Sequence, residues 1–167
     1  MSRHANTFAL AMAAMAALAA AASAGPLALA RGGRTPYIII VDPGATVAEK
    51  HAAAELAMFL KQVTGADFPI EETSVLPAGP AILVGPGPLV SQVAPDLTFT
   101  DLSPDGVLIE SRGESLILAG DRPRGTLYAV YRFLEDVVGC RWWSSKVSSI
   151  PTRTELTVAE QHVRYVP

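Results

Sequence analysis

Cysteine is almost missing from this chain. Cys140 is the single one in 167 residues, so no disulfide can close within the chain and stability must come from packing. A lone thiol is also a poor nucleophile candidate. A catalytic cysteine needs a paired base, and nothing local supplies one. Cys140 reads instead as a small buried residue beside the turn at Gly139.

An excess of basic charge is missing too. Lys and Arg number 13 against 16 Asp and Glu, for a formal net charge of −3. A nucleic-acid binder needs a basic face, and Arg31-Gly32-Gly33-Arg34 is too short to supply one. His51 and His162 stand too far apart for a His/Cys metal cluster, so no metal or other cofactor is expected. There is no Gly-x-Ser-x-Gly elbow. Past the first residues no apolar run is long enough to span a bilayer.

What is present begins with Arg3 and His4, then an alanine-dominated run from Phe8 to Ala22, then small-x-small sites at Ala22-Ser23-Ala24 and Ala28-Leu29-Ala30. That is the layout of a secretory signal peptide, residues 1–24, with a membrane anchor as the alternative reading. The preferred cleavage after Ala24 predicts a secreted or periplasmic protein with no membrane contact afterwards. Loss of Arg3 leaves 12 basic residues against 16 acidic ones, a balance of −4. The remaining length suffices for one ordinary core.

Residues 25–35 are rich in Gly, Pro and Arg and read as a linker. Residues 36–160 read as one folded module. Tyr37-Ile38-Ile39-Ile40-Val41 is a strand apolar on both faces. Thr46-Val47-Ala48-Glu49 fits a capping box for a helix from Val47 to Val63, with Ala53, Leu56, Leu60 and Val63 at helical spacing and Gly65 ending it. Phe68 to Glu71 is a short edge strand, demoted by Pro69. Ala81 to Val84 is a second buried strand, and a helical turn follows near Leu89 to Val93. Val107 to Glu110 and Ser115 to Ala119 form a hairpin across a four-residue connection. A second helix starts near Pro123, with Leu127, Val130, Tyr131, Leu134, Val137 and Val138 as its stripe. Strands through Arg141-Trp142-Trp143 and Glu155 to Val158 close the order. The expected fold is α/β (α+β), a mixed sheet with two main helices largely on one face.

Candidate binding residues are few. Arg122 and Arg124 sit at a helix start, where a bound anion such as a sugar carboxylate is welcome. The competing reading has an arginine pair with an acid and fix the turn. Trp142 and Trp143 could stack on a sugar ring, yet adjacent strand residues point to opposite sides, so one belongs to the core or an interface. Gly85-Pro86-Gly87 lacks the third glycine and the helix opening of a phosphate loop and reads as a turn. A glycosidase needs two carboxylates flanking one bond. Asp42, Glu71, Glu72, Asp101, Asp105, Glu110, Glu114, Asp121, Glu135 and Asp136 are available, and no spacing selects a pair; Glu135 and Asp136 read as solvated at a helix end. No catalytic residue is assigned.

Two blocks carry a resemblance. Ala52-Ala53-Ala54-Glu55-Leu56-Ala57-Met58-Phe59-Leu60-Lys61-Gln62-Val63-Thr64-Gly65 with Ile82-Leu83-Val84-Gly85 is one. Asp105-Gly106-Val107 with Gly120-Asp121-Arg122-Pro123-Arg124-Gly125-Thr126-Leu127-Tyr128-Ala129-Val130-Tyr131 is the other, followed by Gly139-Cys140-Arg141-Trp142. Together they resemble the N-terminal, non-catalytic domain of family 67 α-glucuronidases and of related large secreted glycosidase-like proteins. The second domain of β-hexosaminidases is similar in fold. The resemblance spans about Tyr37 to Val158. It implies an accessory module in carbohydrate metabolism such as xylan degradation, set before a barrel that holds the catalytic acids. A catalytic barrel domain or partner chain is the implied partner, and carbohydrate a further one. Residues 161–167 would then begin the linker to a next domain that this sequence does not include. The alternative is a stand-alone module that binds a uronic acid.

Overall fold

The computed structural model describes residues 25–167, and the signal-peptide reading of residues 1–24 lies outside them. A six-stranded mixed sheet organises the molecule. Its central strands are β2 (Ile38–Val41), β4 (Ala81–Val84) and β6 (Ser115–Gly120), all parallel, with β3 (Ile70–Glu72) parallel to β2 on one edge. β5 (Val107–Arg112) runs antiparallel to β6, and β10 (His162–Tyr165) antiparallel to β5 forms the other edge. The spatial order is β10-β5-β6-β4-β2-β3.

Both faces of the sheet are covered, which explains why its central strands are apolar throughout. The long helix α1 (Val47–Thr64) and α3 (Gly125–Phe133) lie side by side on one face, over Ile39, Val41, Ile82, Val84, Val107, Ile109, Leu116 and Leu118. The short α2 (Pro88–Val93) and the loop through Ala94 and Leu102 cover the other, over Ile40, Leu83, Leu108 and Ile117. The expected mixed sheet, with its two main helices on one face, is what forms.

α1 begins as its sequence dictates. The Thr46 hydroxyl accepts from the Glu49 amide at 3.2 Å and the Glu49 carboxylate accepts from the Thr46 amide at 2.7 Å, satisfying free donors of the first turn. Gly65 ends the helix at φ +76°, where its amide donates to the Lys61 carbonyl. α3 starts at Gly125, two residues later than expected, because Arg122 to Arg124 form a turn in which the Gly125 amide donates to the Asp121 carbonyl at 2.7 Å. Its buried face is also rotated from the expected stripe. Ala129, Val130 and Phe133 are buried, whereas Leu127 and Tyr131 are only partly so. A π-helical turn, Leu134–Val138, extends the helix to Gly139.

Several expectations are corrected by pairing. The supposed linker 25–35 contains β1 (Leu27–Ala30), which pairs antiparallel with β9 (Leu156–Val158) and buries Leu27, Leu29 and Leu156 in the main core. The supposed linker 161–167 contains β10, held to β5 along four residues. The β5–β6 connection is the two residues Gly113 and Glu114, since Arg112 and Ser115 are already paired. For β1 and β10 the alternation of apolar residues is too short to register in the sequence, and distant strands complete the ladder; for β5 and β6 the hairpin was legible and only its pairing runs further toward the turn. β7 (Arg141–Ser144) pairs with β8 (Val147–Ser149) as a separate hairpin.

Candidate functional site

Arg122 and Arg124 stand where β6 turns into α3, and both are already paired. Arg122 reaches across the carboxyl ends of the parallel strands to Glu49, with Nε–Oε1 at 2.9 Å and Nη2–Oε2 at 3.3 Å. Arg124 makes a bidentate pair with Asp105, at 2.9 and 2.7 Å. Hydrogen bonding to these carboxylates is the main cause that raises each guanidinium above its ordinary pKa. The arginines thus have partners within the fold, and an anionic ligand at this helix start would compete with a carboxylate for the charge of either one.

The two tryptophans part company, as strand geometry requires. Trp142 packs edge-to-face on Phe59 and Tyr131, at centroid distances of 5.0 and 5.2 Å. Trp143 is 67% exposed on the other side of the hairpin. The arginines precede α3 and the tryptophans follow its π-helical end, so the four candidates do not converge on one pocket.

A groove forms elsewhere. It runs between α3 and the edge strand β10, over β5, with a volume of about 450 Å³. Tyr128, Arg132, Glu135 and Asp136 line it from the helix side, Tyr165 and Pro167 from the strand side, and Asp105 from the start of β5. Arg132 lies over the Tyr165 ring at 4.6 Å and pairs with Asp136 at 3.3 Å. Arg124 lies over Tyr128 at 5.7 Å. Glu135 and Asp136, expected as solvated helix-end acids, belong to this groove together with Asp105. The 128, 132, 135 and 136 positions share one helix face at i, i+4, i+7 and i+8, a signal present in the sequence. Tyr165 had no such signal, because β10 was not legible as a strand.

Open α/β sheets usually bind ligands outside the carboxyl ends of their strands, where the chain switches from one face to the other. That point lies between β2, which leads to α1, and β4, which leads to α2. Here it is filled. The crevice lined by Asp42, Gly85, Gly87 and Leu89 has a volume of about 10 Å³, room for no more than a water molecule. Gly85, at φ +92°, makes space for the Glu49 side chain, whose Cγ and Cδ would lie 3.2 Å from a Cβ. The Gly85-Pro86-Gly87 segment is therefore a close-packed turn.

The other candidate acids serve local roles. Asp42 accepts from the Gly44 amide, Glu72 pairs with Lys50, Asp101 with Arg164, and Asp121 accepts from the Arg122 amide. Glu110 holds both Arg112 and His162, whose other ring nitrogen lies 3.2 Å from Glu160. Among the described residues no three His, Cys, Asp or Glu are grouped to hold a metal ion, and no helix is long and apolar enough to cross a membrane. Cys140 is fully buried, and burial pushes its thiol pKa up, the opposite of nucleophile activation.

No protein-family model matches the chain, and no curated protein matches it. Solved structures do. The fold is similar to part of a GH20 β-N-acetylhexosaminidase from Streptomyces coelicolor A3(2), with a TM-score of 0.55 and 16% identity, over 86% of this chain and 24% of that one. It is also similar, at a TM-score of 0.48 and 16% identity, to part of a family GH115 4-O-methyl-α-glucuronidase with specificity for decorated arabinogalactans, over 78% of this chain and 18% of that one. The feature shared with the hexosaminidase at such identity is the fold, a mixed α+β domain. Family 67 is not singled out. The chain spans about a quarter of the length of the hexosaminidase it matches.

Proposed function

We propose that this chain is an accessory, non-catalytic module of a secreted glycoside-hydrolase system of α-glucuronidase-like type. The observation that carries the reading is the fold, which coincides over most of the chain with a minor portion of a much longer glycosidase. The site chemistry agrees with it. The crevice at the strand ends is packed, the thiol is buried and masked, and the arginines are neutralised by Glu49 and Asp105. The physical role would be docking to a catalytic barrel or partner chain, through the hairpin that exposes Trp143.

The test is to detect the natural protein, in medium and cell fractions, with an antibody raised against residues 25–167. A species far larger than the 17.5 kDa of this chain, or a stable complex, that carries glycosidase activity supports the proposal. A free chain of this size with no glycosidase associated overturns it, as does hydrolysis of aryl glycosides by the purified chain itself. Capture of a uronic acid by Arg122 or Arg124 is the weaker alternative, since the charge of each arginine is already balanced by a carboxylate.

A further inference from the structure

We infer that the groove between α3 and β10 is a binding site for a neutral saccharide, an inference that rests on the carbohydrate-active setting proposed above but on different residues. Size is the first argument. About 450 Å³ lies within the range of roughly 300–1,000 Å³ typical of small-molecule sites. Tyr128 and Glu135 are seven helical positions apart, which gives the helix wall a length of about 10 Å, enough for more than one sugar ring.

The lining chemistry is the second argument. Tyr128 and Tyr165, 40% and 45% exposed, offer aromatic surface from opposite walls, each with one face already under a guanidinium, Arg124 on Tyr128 and Arg132 on Tyr165. Such rings suit the apolar C–H face of a pyranose, and each keeps a polar tip for a hydroxyl. The carboxylates of Asp105, Glu135 and Asp136 are acceptors for sugar hydroxyls. Asp105 is held in place by its bidentate pair with Arg124 and by a turn in which it adopts φ +75°, an uncommon conformation for a residue with a side chain.

Charge then selects among sugars. Arg124 is compensated by Asp105, and Arg132 by Asp136. Glu135 makes no side-chain ion pair among the described residues; only its backbone carbonyl is engaged, by Arg141. Acids thus outnumber bases among the lining residues, with the Arg141 guanidinium, which also makes no ion pair among the described residues, as the nearest balancing charge to Glu135. A uronate entering the groove meets like charge and no free cation among the lining residues, whereas a neutral sugar meets acceptors and aromatic surface.

The experiment is NMR titration of the 15N-labelled chain with xylotetraose, cellotetraose and N-acetylchitotetraose, alongside tetragalacturonate and tetralysine. The expected result is millimolar binding of a neutral tetrasaccharide, with shifts confined to residues 105–107, 128–136, 165 and 166. Tyr165→Ala and Tyr128→Ala, both at exposed positions, should each weaken it by about tenfold, while Val75→Ala, exposed and outside the groove lining, leaves it unchanged. Glu135→Gln should improve tetragalacturonate relative to the neutral sugars. No groove shifts with any neutral tetrasaccharide overturn the inference, as does tighter binding of tetragalacturonate or tetralysine. A silent groove in a protein that still travels with glycosidase activity would sink this inference alone, and a sugar-binding groove in a free chain would sink only the accessory role.

Discussion

Glu49 and Arg122 are 73 residues apart in sequence and share one ion pair, with Glu49 at 1% exposure and the Arg122 side chain at 51%. The burial is asymmetric, so the two halves are not equivalent. Arg122→Ala leaves a buried carboxylate with only the Thr46 amide. We expect a loss of about 2–3 kcal/mol, below the cost of breaking a fully buried pair because the guanidinium still touches water. Glu49→Gln keeps the shape and most of the capping box. In the background of Arg122→Ala it should restore stability, since no charge is then stranded. Urea denaturation of the two single variants and the double variant measures this. A double variant less stable than Arg122→Ala would contradict it.

Close backbone approach imposes a second constraint. A Cβ at Gly120 or Gly125 would overlap the backbone of the other, or the Gly106 carbonyl, where β6 turns into α3 over the end of β5. The contact involves main chain on both sides and cannot be relieved by a rotamer change. Gly120→Ala and Gly125→Ala should each cost on the order of 3 kcal/mol or prevent folding. Gly79, with open space around it and no positive φ, is the control. Gly79→Ala should be neutral or slightly stabilising, by up to about 1 kcal/mol. Thermal melts of the three variants decide the matter, and equal losses at all three positions would show that the close approach is not limiting.

These residues show what was legible in the sequence and what was not. The capping box, the Gly65 stop, the buried strands β2 and β4 and the division of labour between Trp142 and Trp143 are local. Spacing and residue type encode them, and the structure follows. The Gly120 to Gly125 segment signalled its importance through its glycines and arginines, but the partners Glu49 and Asp105 lie far away in sequence. No local rule could assign them. β1 and β10 are four residues long, and their stability comes from pairing with distant strands. The groove inherits that illegibility, because one of its walls is β10.

Tyr131 offers a pH-dependent test of the contact between the two main helices. Its hydroxyl donates to Glu55 at 2.6 Å. Burial, then this hydrogen bond and the carboxylate's charge, push its pKa up from 10.0 to about 12. The folded state thus favours the neutral phenol. The corresponding stabilisation is complete below the unfolded pKa and is lost as pH rises from about 10 to about 12. Tyr131→Phe should cost about 1 kcal/mol at neutral pH, and the gap to the native protein should shrink as pH climbs past 10. Urea midpoints across that range provide the measurement. A gap that stays constant would mean that the hydroxyl contributes nothing specific to the folded state.

The tryptophan pair gives the sharpest contrast between neighbours. Trp142 closes an aromatic cluster with Phe59 of α1 and Tyr131 of α3, so it fastens the β7–β8 hairpin to both helices. Its truncation removes a large ring and leaves two others facing a void. Trp142→Ala should cost about 3 kcal/mol, the lower end for such a change because the ring is only partly buried. Trp143 contributes no comparable packing, and Trp143→Ala should shift stability by no more than about 0.5 kcal/mol. Its effect should appear in association instead. An exposed tryptophan on the same hairpin as exposed Val147 is a contact point for another surface, and aromatic residues dominate such contacts. If the hairpin docks on a barrel or partner chain, Trp143→Ala should abolish co-purification with glycosidase activity while leaving the melting temperature unchanged. Loss of folding in Trp143→Ala, or full retention of the complex, would move the docking surface elsewhere on the molecule.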